Sequence, residues 1–367
     1  MDTISFARGV PSADLLPVDD LRAAAAKALE DNPAGALSYS PGGYRPLREW
    51  IGQRHGVSPD RVLMLNGSLQ GVVFVAQHLF HTSGGRLVVE DPTYDRTLIA
   101  MRTFGAEITG VALTPEGIDT DMLERVLDAG PAPKLLYVIP TFQNPSGLTL
   151  SLERRHRLLD LCRQRGVLVM EDDPYGLLRF EGEALPTLHE LDGGDNVIHS
   201  SSFTKTVAPG IRTGYLVLPE RLAAPLARIS ENTVIGPNTL AEATLDAYCR
   251  AGRFEPNVAR ATAALKERRD AMEAALREHF PPDARWTTPS GGYFYWVDLP
   301  EQFDTGALLT AASERGVPFV KGADFCIGGG GRSSLRLAFS AVKPDQISEG
   351  IARLGSLLAD QREPAAV

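Results

Sequence analysis

Six short apolar runs set the limits on what this chain can fold into. RVLML (61–65), RLVVE (86–90), LLYVI (135–139), VLVME (167–171), NVIHS (196–200) and GYLVL (214–218) are each bounded by turn residues. Runs of this length with little alternation suit strands buried on both faces. Helix-like segments lie between several of them, and SLQGVVFVAQHLF (68–80) and SLERRHRLLDLCRQRG (151–166) are the clearest. The second has Ser151 in the N-cap position, Arg154 where a capping box would carry Glu, and Gly166 at its end. Strand alternating with helix predicts an α/β domain built on a mainly parallel sheet.

Beyond residue 220 the texture changes. NVARATAALKERRDAMEAALREHF (257–280) has the apolar spacing of an amphipathic helix. GGYFYWVDL (291–299) and SLRLAFS (334–340) read as strands, with a helix over DTGALLTAASERG (304–316) between them. These predict a second, smaller α+β domain. The expected division is a large domain over 36–260, a small C-terminal domain over 261–367, and a segment 1–35 that packs with the small domain. The closing DQREPAAV (360–367) is expected to fray.

With 43% apolar and 23% charged residues, the chain has an ordinary globular composition and can bury a large core. A net charge of -9 without a long basic run argues against nucleic-acid or anionic-membrane partners. No apolar run approaches the ~20 residues of a membrane span, and MDTISFARGVP lacks a signal-peptide pattern. Cys162, Cys249 and Cys326 are too far apart for a disulfide framework or a metal-ligand motif. His78 and His81 share a helical segment but have no carboxylate or cysteine partner, so no metal is expected there. The expectation is a cytoplasmic protein with no membrane or nucleic-acid partner.

The informative residues follow the strands. Asn66-Gly67-Ser68-Leu69 opens a helix after the first, and free amides there favour an anion. Asp91 to Tyr94 follows the second, and Tyr94 offers a ring for stacking. Pro140 to Pro145 follows the third and carries Asn144. Asp172, Asp173 and Tyr175 follow the fourth, and a carboxylate at the end of VLVMED is costly unless it meets a cation. Ser201 to Lys205 follows the fifth. Taken singly, each has a plain structural explanation: a capped helix, a core tyrosine, a turn residue, a salt bridge, a surface lysine. In a parallel sheet, however, these carboxyl ends share one edge, where open α/β folds bind ligands. A ligand matching all five loops has a phosphate, a flat ring, a basic ring nitrogen and an aldehyde for a lysine. Pyridoxal phosphate has all four.

Three motifs sharpen this: PTFQNPSG (140–147), EDDPYG (171–176) and SSFTKTVAPGIRTGY (201–215). With them the chain resembles the class I/II aminotransferases of pyridoxal-phosphate fold type I, the aspartate-aminotransferase-like group. It looks closest to the branch of α-aminoadipate and aromatic aminotransferases. The resemblance runs from ISFARGVPSADLLP (4–17) through LRLAFS (335–340). It implies a large domain with a mainly parallel seven-stranded sheet flanked by helices, and a smaller α+β domain. It implies an enzyme that moves an amino group between an L-amino acid and a 2-oxo acid.

The residue roles implied by the resemblance are as follows. Lys205 would be the Schiff-base lysine and proton carrier, and Asp172 would pair with the ring nitrogen. Tyr175 and Asn144 would hydrogen-bond the ring oxygen, and Tyr94 would stack on the ring. Ser202 and Arg212, with Gly67 and the amides of Ser68 and Leu69, would hold the phosphate. Arg336 would clasp the substrate α-carboxylate as a fork, with Asn144 and Gly9 beside the substrate. Tyr39, in SYSPGGYRPLREW, would reach the phosphate of a neighbouring subunit, which implies a homodimer with shared active sites.

Three positions depart from the family pattern. Leu69 replaces a polar residue and can offer only its N–H. Arg8 stands where a glycine is common, and is the candidate to sense an acidic substrate or to crowd the pocket. Lys321 stands where proline is common, without a visible consequence. No second arginine can be placed for a side-chain carboxylate, so aspartate is not an expected donor. The same cofactor contacts would also serve a diverted enzyme: a lyase, decarboxylase, cyclase or oxidase. A regulator fusing this domain to a DNA-binding one is disfavoured, because no basic helix-turn-helix segment precedes residue 1.

Overall fold

A computed structural model describes residues 2–362. The larger sheet is assembled from β1 (Val62–Leu65), β2 (Gly85–Asp91), β3 (Ala106–Thr114), β4 (Gly117–Ile118), β5 (Leu135–Val138), β6 (Leu168–Asp172), β7 (Val197–Ser202) and β8 (Gly214–Val217). Their order is β1-β8-β7-β6-β5-β2-β3-β4. The pairs β2–β3, β2–β5, β5–β6 and β6–β7 are parallel, while β8 runs antiparallel to both β1 and β7. Being antiparallel to β8, β1 points the same way as β2, β3, β5, β6 and β7, so five loops do open on one edge.

The sheet has eight strands rather than the expected seven, because two-residue β4 folds back antiparallel on β3. Neither is among the six apolar runs of the sequence. The burial of β3 is patchy, as suits a strand near the sheet edge, so it carries no continuous apolar signal. By contrast, β1, β5 and β8 are buried at every residue, as their sequences predict.

The helix Ser68–Phe80 packs Val72, Phe74, Val75 and Ala76 into a core with Tyr137, Met170, Ile198 and Leu216 on one sheet face. On the other face, Leu158, Leu161 and Cys162 of the helix Leu152–Gln164 meet Val138, Val169 and Val197. Ser151 caps that helix by accepting from Arg154 N at 3.4 Å.

The smaller sheet, ordered β11-β12-β10-β9, comprises β9 (Arg285–Trp286), β10 (Phe294–Asp298), β11 (Val320–Lys321) and β12 (Ser334–Ala338). Its core is closed by Leu265, Met272 and Leu276 of the helix Phe254–His279 and by Ile347, Ile351 and Leu354 of the helix Pro344–Arg362. Asp360, expected to fray, lies within that last helix, while 363–367 lie outside the described residues.

The N-terminal segment divides its packing. Ile4 N donates to Gly316 O at 2.7 Å, Phe6 N donates to Pro318 O at 2.8 Å, and Ala338 N donates to Phe6 O at 2.8 Å. Ile4 and Phe6 are buried in the smaller core. The helix Val18–Asp31 instead sets Leu21 and Ala24 beside Leu47 and Leu245, and Ala28 beside Ala243, on the larger side. The stretch between, around Gly9, therefore crosses from one half to the other.

Candidate active site

A cavity of about 370 Å3 lies where the carboxyl ends of β1, β2, β5, β6 and β7 meet the crossing N-terminal stretch and β12. At one end Gly67, at φ 90°, leads into the helix Ser68–Phe80. A Cβ there would collide with the Arg212 guanidinium, so glycine is what lets the arginine reach the helix start. Gln70 N donates to Gly67 O at 3.1 Å, which leaves the Ser68 and Leu69 amides without an acceptor in the helix, and the helix dipole adds positive potential. Arg212, exposed and at φ 48°, donates to Asn66 O at 3.1 Å. The Ser202 hydroxyl is within reach of Thr204 Oγ1 at 2.7 Å and Thr213 O at 3.1 Å. Ser68, Leu69, Ser202, Thr204 and Arg212 all face this end, which is a cradle for an anion.

Asp172 closes β6 and is buried. Its Oδ2 accepts from the Tyr137 hydroxyl at 2.7 Å, whereas Oδ1 is buried without a partner. Burial pushes the carboxyl up to about 6, against the Tyr137 hydrogen bond. Such an orphaned acceptor calls for a donor from within the cavity that Asp172 lines. Tyr94 and Tyr175 line the same space, and Tyr175 is fixed by ring contacts to Tyr293 and Phe294 at 5.4 and 5.7 Å.

The Lys205 ammonium also enters the cavity, where it donates to Gly9 O at 2.5 Å. Burial, then the charges of Arg336 and Arg212, bring the amine down to about 8. Arg336 projects from β12 and donates through Nη1 to Asn144 Oδ1 at 2.8 Å and through Nη2 to Ala7 O at 2.7 Å. Its guanidinium sits 4.3 Å from the Phe294 ring centre and 4.9 Å from that of Phe325, while Nε is buried with no partner. Gly9 lets the N-terminal stretch pass over this stack, since a Cβ would enter the Phe294 ring. An anion cradle, an unpaired carboxylate oxygen, a lysine of lowered basicity and a guanidinium fork thus surround one slot. The donor set fits pyridoxal phosphate on each count.

Residues 2–354 match the family described as aminotransferase class I and II. The chain belongs to the class I and II aminotransferases. It is 34% identical to aromatic-amino-acid aminotransferase 1 of Thermococcus litoralis, over 98% of this chain and 89% of that protein. Kynurenine aminotransferase from Pyrococcus horikoshii superposes with a TM-score of 0.94 at 33% identity, covering 99% of this chain and 92% of that one. The α-aminoadipate aminotransferase of Thermus thermophilus, complexed with N-(5'-phosphopyridoxyl)-L-leucine, gives 0.93 at 35% identity, with 98% and 92% covered. The protein is therefore a pyridoxal-phosphate-dependent transferase of amino groups between an amino acid and a 2-oxo acid.

In this aminotransferase the cavity brings together Gly9, Ser68, Leu69, Tyr94, Asn144, Asp172, Tyr175, Ser202, Lys205, Arg212 and Arg336, each named from the sequence. Gly67 stands one residue behind the lining. Two candidates lie elsewhere. Tyr39 is 83% exposed, and Arg8 is exposed and outside the cavity lining, although its neighbour Ala7 holds Arg336.

Sequence reasoning missed the residues behind the lining. Glu90 is buried, pushed up to about 8 by burial, and accepts from Ile139 N at 2.9 Å and Gln143 Nε2 at 3.2 Å. Gln143 also donates to Pro92 O at 2.8 Å and accepts from Ser146 N at 2.8 Å. These bonds hold the loop that carries Asn144. A signal existed, for Glu90 ends an apolar run in RLVVE as Asp172 ends VLVMED. Phe294 and Thr204 were also missed; both line the cavity.

The lowered basicity of Lys205 has a measurable consequence. Only the neutral amine can attack an aldehyde, and its fraction grows until the pH passes about 8. The rate constant for cofactor capture by the aminotransferase apoenzyme is expected to rise roughly tenfold from pH 7 to pH 9 and then level off. Stopped-flow absorbance measures it, and a rate still climbing tenfold per pH unit above 9 would contradict the assignment.

Proposed function

We propose that the cavity divides the transamination among its side chains as follows, a reading supported above all by the orphaned Oδ1 of Asp172, a residue that lines the same slot as Lys205. Bound pyridoxal phosphate supplies an aldehyde that takes up the amino group and a protonated ring that accepts electron density from the substrate α-carbon. Asp172 holds that ring proton through Oδ1. The amides of Ser68 and Leu69, with Ser202 and Arg212, bind the phosphate. Tyr94 covers one ring face, and Tyr175 and Asn144 orient the ring edge. Arg336 binds the substrate α-carboxylate in the bidentate geometry that its planar fork allows. Lys205 Nζ would take the proton from the substrate α-carbon and deliver it to the carbon that was the cofactor's aldehyde, for which an amine titrating near 8 is well matched.

Three cations line the cavity, Lys205, Arg212 and Arg336, and each has a role in this scheme. None is left for a side-chain carboxylate, while Val10, Leu69 and Phe294 present apolar surface. Aromatic and other large neutral amino acids are therefore the proposed donors. The test mixes the cofactor-loaded enzyme with single amino acids and no oxo acid. The expected result is one oxo acid formed per active site, faster with phenylalanine or tyrosine than with aspartate. Continuous turnover with oxygen uptake, or release of CO2 or ammonia, would instead indicate diverted chemistry.

We further propose a homodimer in which Tyr39 completes the partner's phosphate site. Leu37, Tyr39, Ile235 and Leu240 are exposed apolar residues, 67, 83, 50 and 38% accessible. Gly236 packs against Ser40 O, and Asn238 N donates to Asn66 Oδ1 at 3.1 Å, so their two segments adjoin the phosphate loop. Apolar exposure of this kind marks an association surface. Light scattering should give about twice 39.6 kDa, and Tyr39→Phe should weaken cofactor binding roughly threefold to tenfold, the worth of one hydrogen bond. A fully active monomer would contradict the proposal.

A further inference from the structure

We propose that Tyr137 is a positioning residue for the transamination: its hydroxyl fixes Asp172 so that Oδ1 faces the cofactor ring nitrogen and the shared proton stays on that nitrogen. The proposal rests on the role given above to Asp172. Tyr137 lies on β5 in register with Met170 of β6, and the two-residue strand period puts Met170 and Asp172 on one face with it. Tyr137 is fully buried and packs in the core beneath the helix Ser68–Phe80. Its hydroxyl is 2.7 Å from Asp172 Oδ2. One carboxylate oxygen is thereby committed, and the other is buried with no partner in a residue that lines the cavity.

The chemical consequence follows from the hydrogen bond. A carboxylate that accepts a bond from a neutral donor is a weaker base. Between such a carboxylate and a pyridine nitrogen, the proton then rests on the nitrogen, where it makes the ring an electron acceptor. The phenol is suited to this, because burial and the Asp172 charge keep it far above the usual tyrosine range, so it remains a donor at every working pH. Asp172 is also faced by Asp173 from its own strand end, by His199 and Ser200 of β7, and by Tyr94, Tyr175 and Lys205. Asp173 favours its protonation, whereas His199 and the Tyr137 hydroxyl oppose it; the Ser200 hydroxyl, in register with Asp172, is buried without a hydrogen-bond partner.

The test loads the enzyme with cofactor labelled with 15N at the ring nitrogen and compares wild type, Tyr137→Phe and Asp172→Ala by NMR. Phenylalanine keeps the ring in its core site, so a merely structural role would move the melting temperature and not the resonance. Wild type is expected at the protonated-pyridine position. Tyr137→Phe is expected to move toward the neutral-pyridine position, with kcat lowered roughly tenfold and KM little changed, and Asp172→Ala to complete the move. An unmoved resonance in Tyr137→Phe, with Asp172→Ala displaced, overturns the proposal and leaves the Asp172 role standing. An unmoved resonance in Asp172→Ala overturns that role itself. A wild-type resonance at the neutral-pyridine position overturns both without any variant.

Discussion

Replacing Lys205 by alanine is expected to lower kcat/KM by at least roughly 10⁴-fold, the upper range for loss of a proton-transfer group, since covalent capture is lost with it. Lys205→Arg should fall as far. Arginine keeps the charge but does not deprotonate, so it can neither attack the aldehyde nor take a proton. The fold should be nearly indifferent. Lys205 Nζ makes one hydrogen bond, to Gly9 O, and the net worth of such a bond is about 1 kcal/mol. A melting temperature within a few degrees of wild type, with activity gone, is the expected pair of results. Retained turnover in Lys205→Ala would mean that another group carries the proton.

Asp172→Ala is expected to have the next largest effect. Removing one member of a buried, hydrogen-bonded charge pair costs about 2–5 kcal/mol, a factor of roughly 30 to several thousand. The loss should fall on kcat more than on KM, because the proposed roles put Asp172 at the cofactor ring and Arg336 on the substrate carboxylate. Asp172→Asn keeps the shape and loses the charge, so it should resemble alanine. If asparagine restored wild-type kcat, the carboxylate charge would not matter and this role would be wrong.

The site was legible where strand ends carry polar residues that the strand itself cannot use. Asp172 ends β6 and Lys205 follows β7, and both reach the cavity. The helix expected over 68–80 is the observed Ser68–Phe80, because its glycine start and apolar periodicity are both local signals. The long helix begins at Phe254 instead of Asn257, an adjustment within the first turn. What stayed hidden depends on distant partners. Tyr137 sat in an apolar run as one more core residue, and only its pairing beside β6 brings its hydroxyl to Asp172. Glu90 and Gln143 are 53 residues apart and meet through the β2–β5 pairing. Arg8 stood out in the sequence because a glycine is common there, yet its side chain lies outside the cavity lining while the Ala7 carbonyl does the holding.

The claim that Lys205 is the cofactor's covalent anchor can be tested on the wild-type enzyme alone. Borohydride reduction of the cofactor-loaded protein, followed by proteolysis and mass spectrometry, should place one phosphopyridoxyl group per chain on Lys205, in the stretch SSFTKTVAPGIR. A phosphopyridoxyl group on any other lysine, or none after reduction, would contradict the account.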